Sequence, residues 1–404
     1  MLRSMFSAIS GLRAHQTKMD VTGNNIANVN TVGFKASQTV FQDTLSQVIR
    51  AGGAPAADRG GTNPAQVGLG VKVAAITTNW TQGATQSTGR SEDFMIEGDG
   101  FFVTRGTGGE QLFTRAGSLT FDSTGKLLTP DGSILQGWMA DGGVVNSNDP
   151  IEALTVPIGQ LVPPRASSSG AIDGNLPSEA PVPTSLTTGT IMYDSQGVPQ
   201  QISYTVTKTA ADTWDVSVDH ADGTNLATIT GVAFDSSGAR TTAPTATFTP
   251  VGYDNWTTPV TIDISALTQY GGAGEIGDAG QNGYPVGALQ AFELGADGTI
   301  MGTYSNELKQ PIGRLALASF NNPGGLEKAG NSSFRVGVNS GVAQIGVPGA
   351  GGRGSLVSGA LEMSNVDLAE EFTGLIVAQR GFQANSRVIT SSDEILQDLV
   401  NLKR

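Results

Sequence analysis

All 18 prolines of this 404-residue chain lie between Pro55 and Pro348. Proline removes a backbone donor and clashes with the preceding helical turn, so long helices are permitted at the two proline-free ends and largely forbidden between them. The interior also holds most of the 55 glycines, a content nearly twice the usual share of about 7%. Charged residues make up 15% of the chain, against roughly 25% in an average soluble protein. Low charge with abundant Gly, Thr, Ser and Asn predicts a β-rich, turn-rich interior.

Residues 1–28 read as a helix. Met5, Leu12, Met19 and Ile26 fall seven apart, with Leu2 and Ile9 in a second row beside them, the a/d stripe of a coiled-coil helix. At the other end Leu368, Leu375, Phe382, Ile389 and Leu396 keep the same spacing, and Phe372 and Val400 occupy a companion row interrupted by Gln379, Ser386 and Asp393. Ser364-x-x-Asp367 has the form of a capping box. A helix over 365–402 would run roughly 57 Å at 1.5 Å per residue; Gly374 and Gly381 each weaken it by about 1 kcal/mol. A lone helix of this kind needs a partner. The stripes could meet each other within the chain or meet neighbouring subunits, and periodicity does not separate the two.

Between the ends, Phe94–Val103, Leu112–Asp122, Gly125–Leu128, Asp131–Trp138 and Ala291–Gly302 alternate short apolar runs with Asp-Gly or Thr-Gly turns, the pattern of hairpins. These segments flank an insertion over 146–283. It contains alternating strands such as Gln201–Thr207 and Trp214–Asp219, with 14 Asp/Glu against three Lys/Arg (Arg165, Lys208 and Arg240), so 3 − 14 = −11 of the net −13 resides there. A separate β-sandwich or barrel with an acidic surface is expected. The expected fold is multidomain and mainly β with α-helical termini paired as a coiled coil. Residues 1–28 and 365–404 form the helical part, 29–70 and 349–364 connect, 71–145 and 284–348 form one discontinuous β-domain, and 146–283 forms the inserted one.

The chemistry available is narrow. A net charge of −13 argues against nucleic acid, which demands clustered Lys and Arg, and against an anionic membrane surface. There is no cysteine, hence no disulfide or thiolate site. No run approaches a membrane span, and the N-terminus lacks the core and cleavage site of a Sec signal. Taken bare, this points to the cytoplasm. His15 and His220 are the two histidines, and neither has a second one beside it for a zinc site. Gly349–Gly354 matches G-x-G-x-x-G formally, but lacks the strand, helix and βαβ context that dinucleotide binding requires. The Asp-Gly pairs at Asp99, Asp131, Asp222 and Asp297 lack a calcium loop's ligand series and are expected as type I′ turns. Glu92, Asp93, Glu97 and Asp99 cluster as a polar turn does. No catalytic residue, cofactor site or metal site is expected.

Gly23–Lys35, with Asn24, Asn25, Ile26, Ala27, Asn28, Gly33, Phe34 and Lys35, resembles the N-terminal signature of the flagellar rod and hook axial protein family, and Ser4–Leu12 fits that family's opening helix. Phe94–Phe102 is similar to its shared β-domain motif. Leu361–Leu368, with Asn365, Val366 and Asp367, and Ile376–Asn385, with Gln379 and Arg380, resemble its C-terminal signature. One departure is Arg380-Gly381-Phe382, where many hook members carry an aromatic and then a polar residue; Gly381 is expected to loosen the helix there. The length and the insertion point to a hook member rather than a shorter distal rod protein.

The resemblance implies a non-enzymatic structural subunit that self-associates into a helical tube and works as a universal joint. The terminal stripes would form the inner tube and the insertion the outside. It also implies a rod protein below, a hook–filament junction protein above, a hook cap during assembly, and extracellular placement by the flagellar type III export apparatus without a cleaved signal peptide. The rival readings are a straight distal rod protein and a secreted β-rich adhesin.

Overall fold

A computed structural model describes residues 2–55, 60–157, 159, 161–241, 245–250 and 255–401. Among them are two α-helices, α1 (Leu2–Ala27) and α2 (Leu368–Asn401), both at the proline-free ends, and strands throughout the interior. The fold is mainly β with terminal helices. No described helix is long and apolar enough to cross a membrane.

The chain forms two compact units. The first comprises Met1–Val156, Glu293–Met301 and Pro311–Arg404, and the second Pro157–Phe292 with Gly302–Gln310. In the first, Phe101–Arg105 pairs with Gln111–Thr114, with Ile134–Leu135 and with Leu317–Ala318, all antiparallel. Ser333–Arg335 extends that sheet beside Gln111–Thr114. Its core gathers Phe101, Val103, Phe113, Trp138, Phe320 and Phe334, with Trp80 packed against it. The rings meet edge to face, Phe113 and Phe320 at 4.9 Å and Trp80 and Phe334 at 5.0 Å between centroids, the arrangement that their quadrupoles favour.

The stretches expected as connectors carry strands. Ser37–Asp43 pairs with Val71–Thr78, and Ser46–Arg50 with Ala65–Gly68. Ser355–Ser358 pairs with Phe94–Glu97, and Ala360–Glu362 with Thr85–Ser87. The glycine-rich segment 349–354 therefore opens into a strand and not into a helix.

The second unit has two four-stranded sheets. One is antiparallel, in the order Ser185–Tyr193, Pro199–Ala210, Thr213–His220, Asn225–Ala233. The other runs Thr245–Phe248, Val260–Tyr270, Ser169–Pro177, Glu275–Gln281, with a parallel central pair. Alternate residues point inward, as period-2 strands dictate: Ile202, Tyr204 and Val206 from one strand, Trp214, Val216 and Val218 from the next, and Ile262, Ile264 and Leu267 from the opposite sheet. Lys208 is 3% exposed. Its ammonium donates to the carbonyls of Ser178 and Ala180 at 2.6 and 3.0 Å, as a buried charge must.

The hairpin turns correct one expectation. Gly132 donates to the Thr129 carbonyl while Thr129 donates to the Ser133 carbonyl, and the same pair of bonds recurs around Gly125, Gly223, Gly238 and Gly298. A type I′ turn needs positive φ at both central residues, yet of the residues in these turns only the glycine has it. They are type I turns closed by a left-handed glycine bulge.

Candidate assembly site

The N-terminal signature forms a hydrogen-bonded junction at the end of α1. Gly33 sits at φ 67° and its amide donates to the Glu362 carbonyl at 2.8 Å; a Cβ there would lie 2.6 Å from the Ala116 amide nitrogen, so glycine is required twice over. Two residues on, the Lys35 ammonium donates to Glu362 Oε1 at 2.6 Å and to the Thr81 carbonyl at 2.7 Å. The Gly83 amide also donates to Oε1, at 2.9 Å, and Arg115 Nη1 donates to Oε2 at 3.3 Å. The side chains of Lys35 and Glu362 are fully buried and that of Arg115 nearly so. Burial lowers the Lys35 pKa, opposed by the hydrogen bond and charge of Glu362. One carboxylate thus ties the segments around Lys35, Gly83 and Arg115 to the last strand before α2.

Asparagines continue the junction. Asn25, 1% exposed, donates to the Ser37 carbonyl at 2.8 Å and to Glu371 Oε1 on α2 at 2.6 Å, and accepts from the Ser37 amide at 3.0 Å. Asn365 accepts from the Ala36 amide at 2.8 Å and donates to the Asn79 and Thr81 carbonyls. Asn28 donates to the Asn24 carbonyl at 2.9 Å and closes the C-terminus of α1. Lys328 lies over the Phe34 ring, 5.4 Å from its centroid. Asp367 Oδ1 accepts from the amides of Ala369 and Glu370 at 2.8 and 3.2 Å. It takes the capping place that the sequence pattern assigns to Ser364, and α2 begins at Leu368. Of the remaining signature residues, Ala27, Gln379 and Arg380 are exposed and Val366 is half-buried.

The two helices pack antiparallel, and their fully buried positions are small or polar residues and not the apolar stripe. On α1 the buried residues are Ala8, Gly11, Ala14, Thr22 and Asn25; on α2 they are Ala378 and Ser392. Met5, Leu12, Met19 and Ile26 lie half-buried beside that row, as do Leu375, Phe382, Ile389 and Leu396. Leu368 and Phe372 are 41% and 50% exposed. The companion row on α2 is therefore displaced by one residue: positions 371, 378, 385 and 392 face α1, where 372, 379, 386, 393 and 400 were expected. The described side chains do not include Leu2 or Val400. Gly381 does not leave a void. A Cβ there would lie 2.6 Å from the His15 ring, so the glycine is the seat on which His15 packs.

Among the largely polar residues that the helices leave outside, several are large and apolar. Phe6, Phe372, Ile376, Val377 and Ile395 are each at least half exposed, and the hairpin of Ser46–Arg50 and Ala65–Gly68 carries Val48 and Ile49 in the open, with Leu45 before it 84% exposed. Sequence reasoning named Lys35, Asn25 and Asn365 but missed Glu362, the carboxylate that Lys35 shares with Arg115, and missed this hairpin. A single carboxylate or an isolated Arg carries no local signal of burial.

Models of known families match along the chain: "Flagella basal body rod protein" over residues 5–35, "Flagellar hook protein FlgE/F/G D1 domain" over 95–175, "Flagellar basal body protein FlaE D2 domain" over 166–284, and "Flagellar basal body rod FlgEFG protein C-terminal" over 357–402. The D2 match covers most of the acidic insertion. The chain is 39% identical to flagellar hook protein FlgE of Borreliella burgdorferi and 38% identical to that of Treponema pallidum, each match covering 100% of both chains. It is 34% identical to flagellar basal-body rod protein FlgG of Bacillus subtilis, again over 100% of both, so length does not by itself divide hook from rod. The crystal structure of Helicobacter pylori flagellar hook protein FlgE2 has the same fold at TM-score 0.55 and 14% identity, covering 69% of this chain and 100% of that one. With helical ends, a joined β-unit and full-length identity above 30% to hook proteins of several bacteria, this chain belongs to the flagellar rod and hook family as a flagellar hook protein, a structural and non-enzymatic subunit.

Proposed function

We propose that the chain is the repeating unit of a helical tube in which α1 and α2, paired as a coiled coil, pack against the same helices of neighbouring copies. Residues 1–28 and 365–404 serve polymerisation, 71–145 with 284–348 form a middle layer, and 146–283 lies outermost. The observation that carries this reading is the inversion of the helix pair: small side chains fill its seam while Phe372, Ile376, Val377 and Ile395 stand in solvent. Apolar surface of that extent marks an interaction face. A chain that contacts copies of itself head to tail builds an open filament.

The tube acts as a flexible universal joint that carries torque from rod and motor to filament. A rod protein meets it below and a hook–filament junction protein above. A hook cap and the flagellar type III apparatus serve its assembly outside the cell. Bending during rotation requires contacts that part and re-form, which wet polar surfaces tolerate and dry apolar ones resist; the net −11 of the insertion suits that role. A straight drive shaft is the second reading, favoured by the full-length relative named as a rod protein. The test is the double variant Phe372→Glu, Ile376→Glu in the full chain, followed by sedimentation and electron microscopy. Loss of polymer with an unchanged unfolding transition is expected; polymer in normal yield would overturn the reading. The curvature of the wild-type polymer separates joint from shaft.

A further inference from the structure

The seam between the helices contains two seats that mirror each other. Gly11 on α1 receives Asn385 of α2, whose side-chain amide would lie 2.9 Å from a Cβ at position 11; Gly381 on α2 receives His15 of α1, whose ring would lie 2.6 Å from a Cβ there. Asn385 is itself held by donating to the Gly381 carbonyl at 2.8 Å. The His15 ring is braced on its other side by Phe41, edge to face at 5.7 Å. The contacts keep one register: Gly11, His15 and Asn25 meet Asn385, Gly381 and Glu371 in turn, so each step along α1 is matched by an equal step back along α2.

Outside these two seats the seam holds one further specific contact, the Asn25 donation to Glu371 at 2.6 Å, which a 25–371 cysteine pair removes. Ala8, Ala14, Thr22, Ala378 and Ser392 are small and would accept a slide by one helical turn with little change of contact. The half-buried apolar stripes repeat every seven residues and so admit a slide by one repeat. We infer that His15 on Gly381 and Asn385 on Gly11 are a reciprocal register lock, which selects one alignment of this chain's own ends. A slide in either direction drives both knobs off their glycines.

The lock is open to acid. His15 sits where burial, and then the Lys18 charge, lower its pKa. From the other elements around it, α2 presents Gly381, the strand Ser37–Asp43 presents the uncharged Phe41, and Arg13 and Lys72 line the adjoining groove with Ala14. Glu371, the seam carboxylate of α2, is taken by Asn25. A proton on the ring places a second cation beside Lys18 in a partly buried seat.

The chain has no cysteine, so an introduced pair reports register without interference. Three pairs serve in the full-length chain, under conditions where circular dichroism shows the helices formed: Asn25→Cys with Glu371→Cys for the native register, and Asn25→Cys with Leu375→Cys or Leu368→Cys for slips either way. In the native background the 25–371 disulfide should form first. With His15→Ala and Asn385→Ala added, that preference should be lost. Exchanging knob and seat by His15→Gly with Gly381→His should restore it. Lowering the pH below the ordinary histidine range should erase the preference in the native lock and leave it unchanged in a His15→Gln background. Retention of the 25–371 preference in the double alanine background would overturn the inference, as would failure of the knob exchange to restore it. Sedimentation of the same samples reads polymer formation separately, so the lock can fail without the polymer reading and the reverse.

Discussion

The β-sandwich of the second unit and the helix pair of the first bury opposite chemistry. The sandwich closes on Trp214, Trp256, Tyr204 and a ring of Val and Ile, all at or near zero exposure. The helix pair closes on Ala, Gly, Thr and Asn and leaves phenylalanine and isoleucine in solvent. The first is a finished core, because its period-2 strands place these large apolar side chains between two sheets. The second is half a core, because its contact face carries the small residues and the large ones still need a partner. A polymer needs both: a unit that is stable alone, and one whose free energy is completed by neighbours.

The contrast should break hardest where buried charge or volume is removed. Glu362→Gln leaves Lys35 and Arg115 buried without their shared carboxylate. Breaking a buried ion network in this way costs about 3–5 kcal/mol, expected as a lower denaturant midpoint for the first unit while the sandwich transition stays in place. Trp214→Ala should do the reverse. It should remove about 3–5 kcal/mol from the sandwich transition and leave the α2 signal in circular dichroism intact. If either substitution lowers both transitions equally, the two units do not unfold as separate bodies.

Smaller effects sharpen the comparison. His15 has its folded pKa below the ordinary 6.5, so the unfolded chain binds more protons as pH falls through that range. The stability it contributes is full above 6.5 and declines below it. An acid titration of helix content should show this loss, and His15→Gln should remove it. The sandwich offers a contrast in the carboxylate range. There the Ser237 hydroxyl, then the amides of Ala239 and Ser237, hold Asp235 below its usual pKa, so its turn weakens only as pH falls under the ordinary carboxylate value. Neutralising the acidic face should do least to folding. Asp215 accepts from the Gly231 amide at 2.8 Å, Asp212 accepts from Gln269, and Asp219 accepts from Ser217 and Asn225, bonds that asparagine can partly keep. The expected change for Asp→Asn at these sites is in polymer curvature or stiffness and in its salt response. Identical bending in all variants and salts would remove the insertion's charge from the mechanism.

The glycine-rich turns show how far local sequence reaches. Asp131-Gly132 and Asp297-Gly298 announce hairpins correctly, but whether the aspartate joins the glycine at positive φ depends on the twist of the strands they link, and here it does not. The start of α2 has the same character. Ser364 and Asp367 both fit a cap, and the strand Ala360–Glu362 just before them leaves Asp367 as the residue free to turn into the helix.

Proline placement, period-2 runs and heptad spacing were enough to place helices at the two ends and strands between them, because each is a local constraint on the backbone or on one face of an element. The signature residues Gly33, Lys35, Asn25 and Asn365 could be named from their pattern, but not their purpose. Their partners Glu362, Thr81, Ser37 and Glu371 stand tens to hundreds of residues away, and only the closed fold brings them within hydrogen-bond reach. The seam of the helices was likewise decided by tertiary packing. Heptad counting finds the largest apolar residues, whereas close approach of two helices selects the smallest, so the most buried positions are Ala, Gly, Thr, Asn and Ser while most of the main stripes lies half-buried and Phe372 of the companion row faces outward.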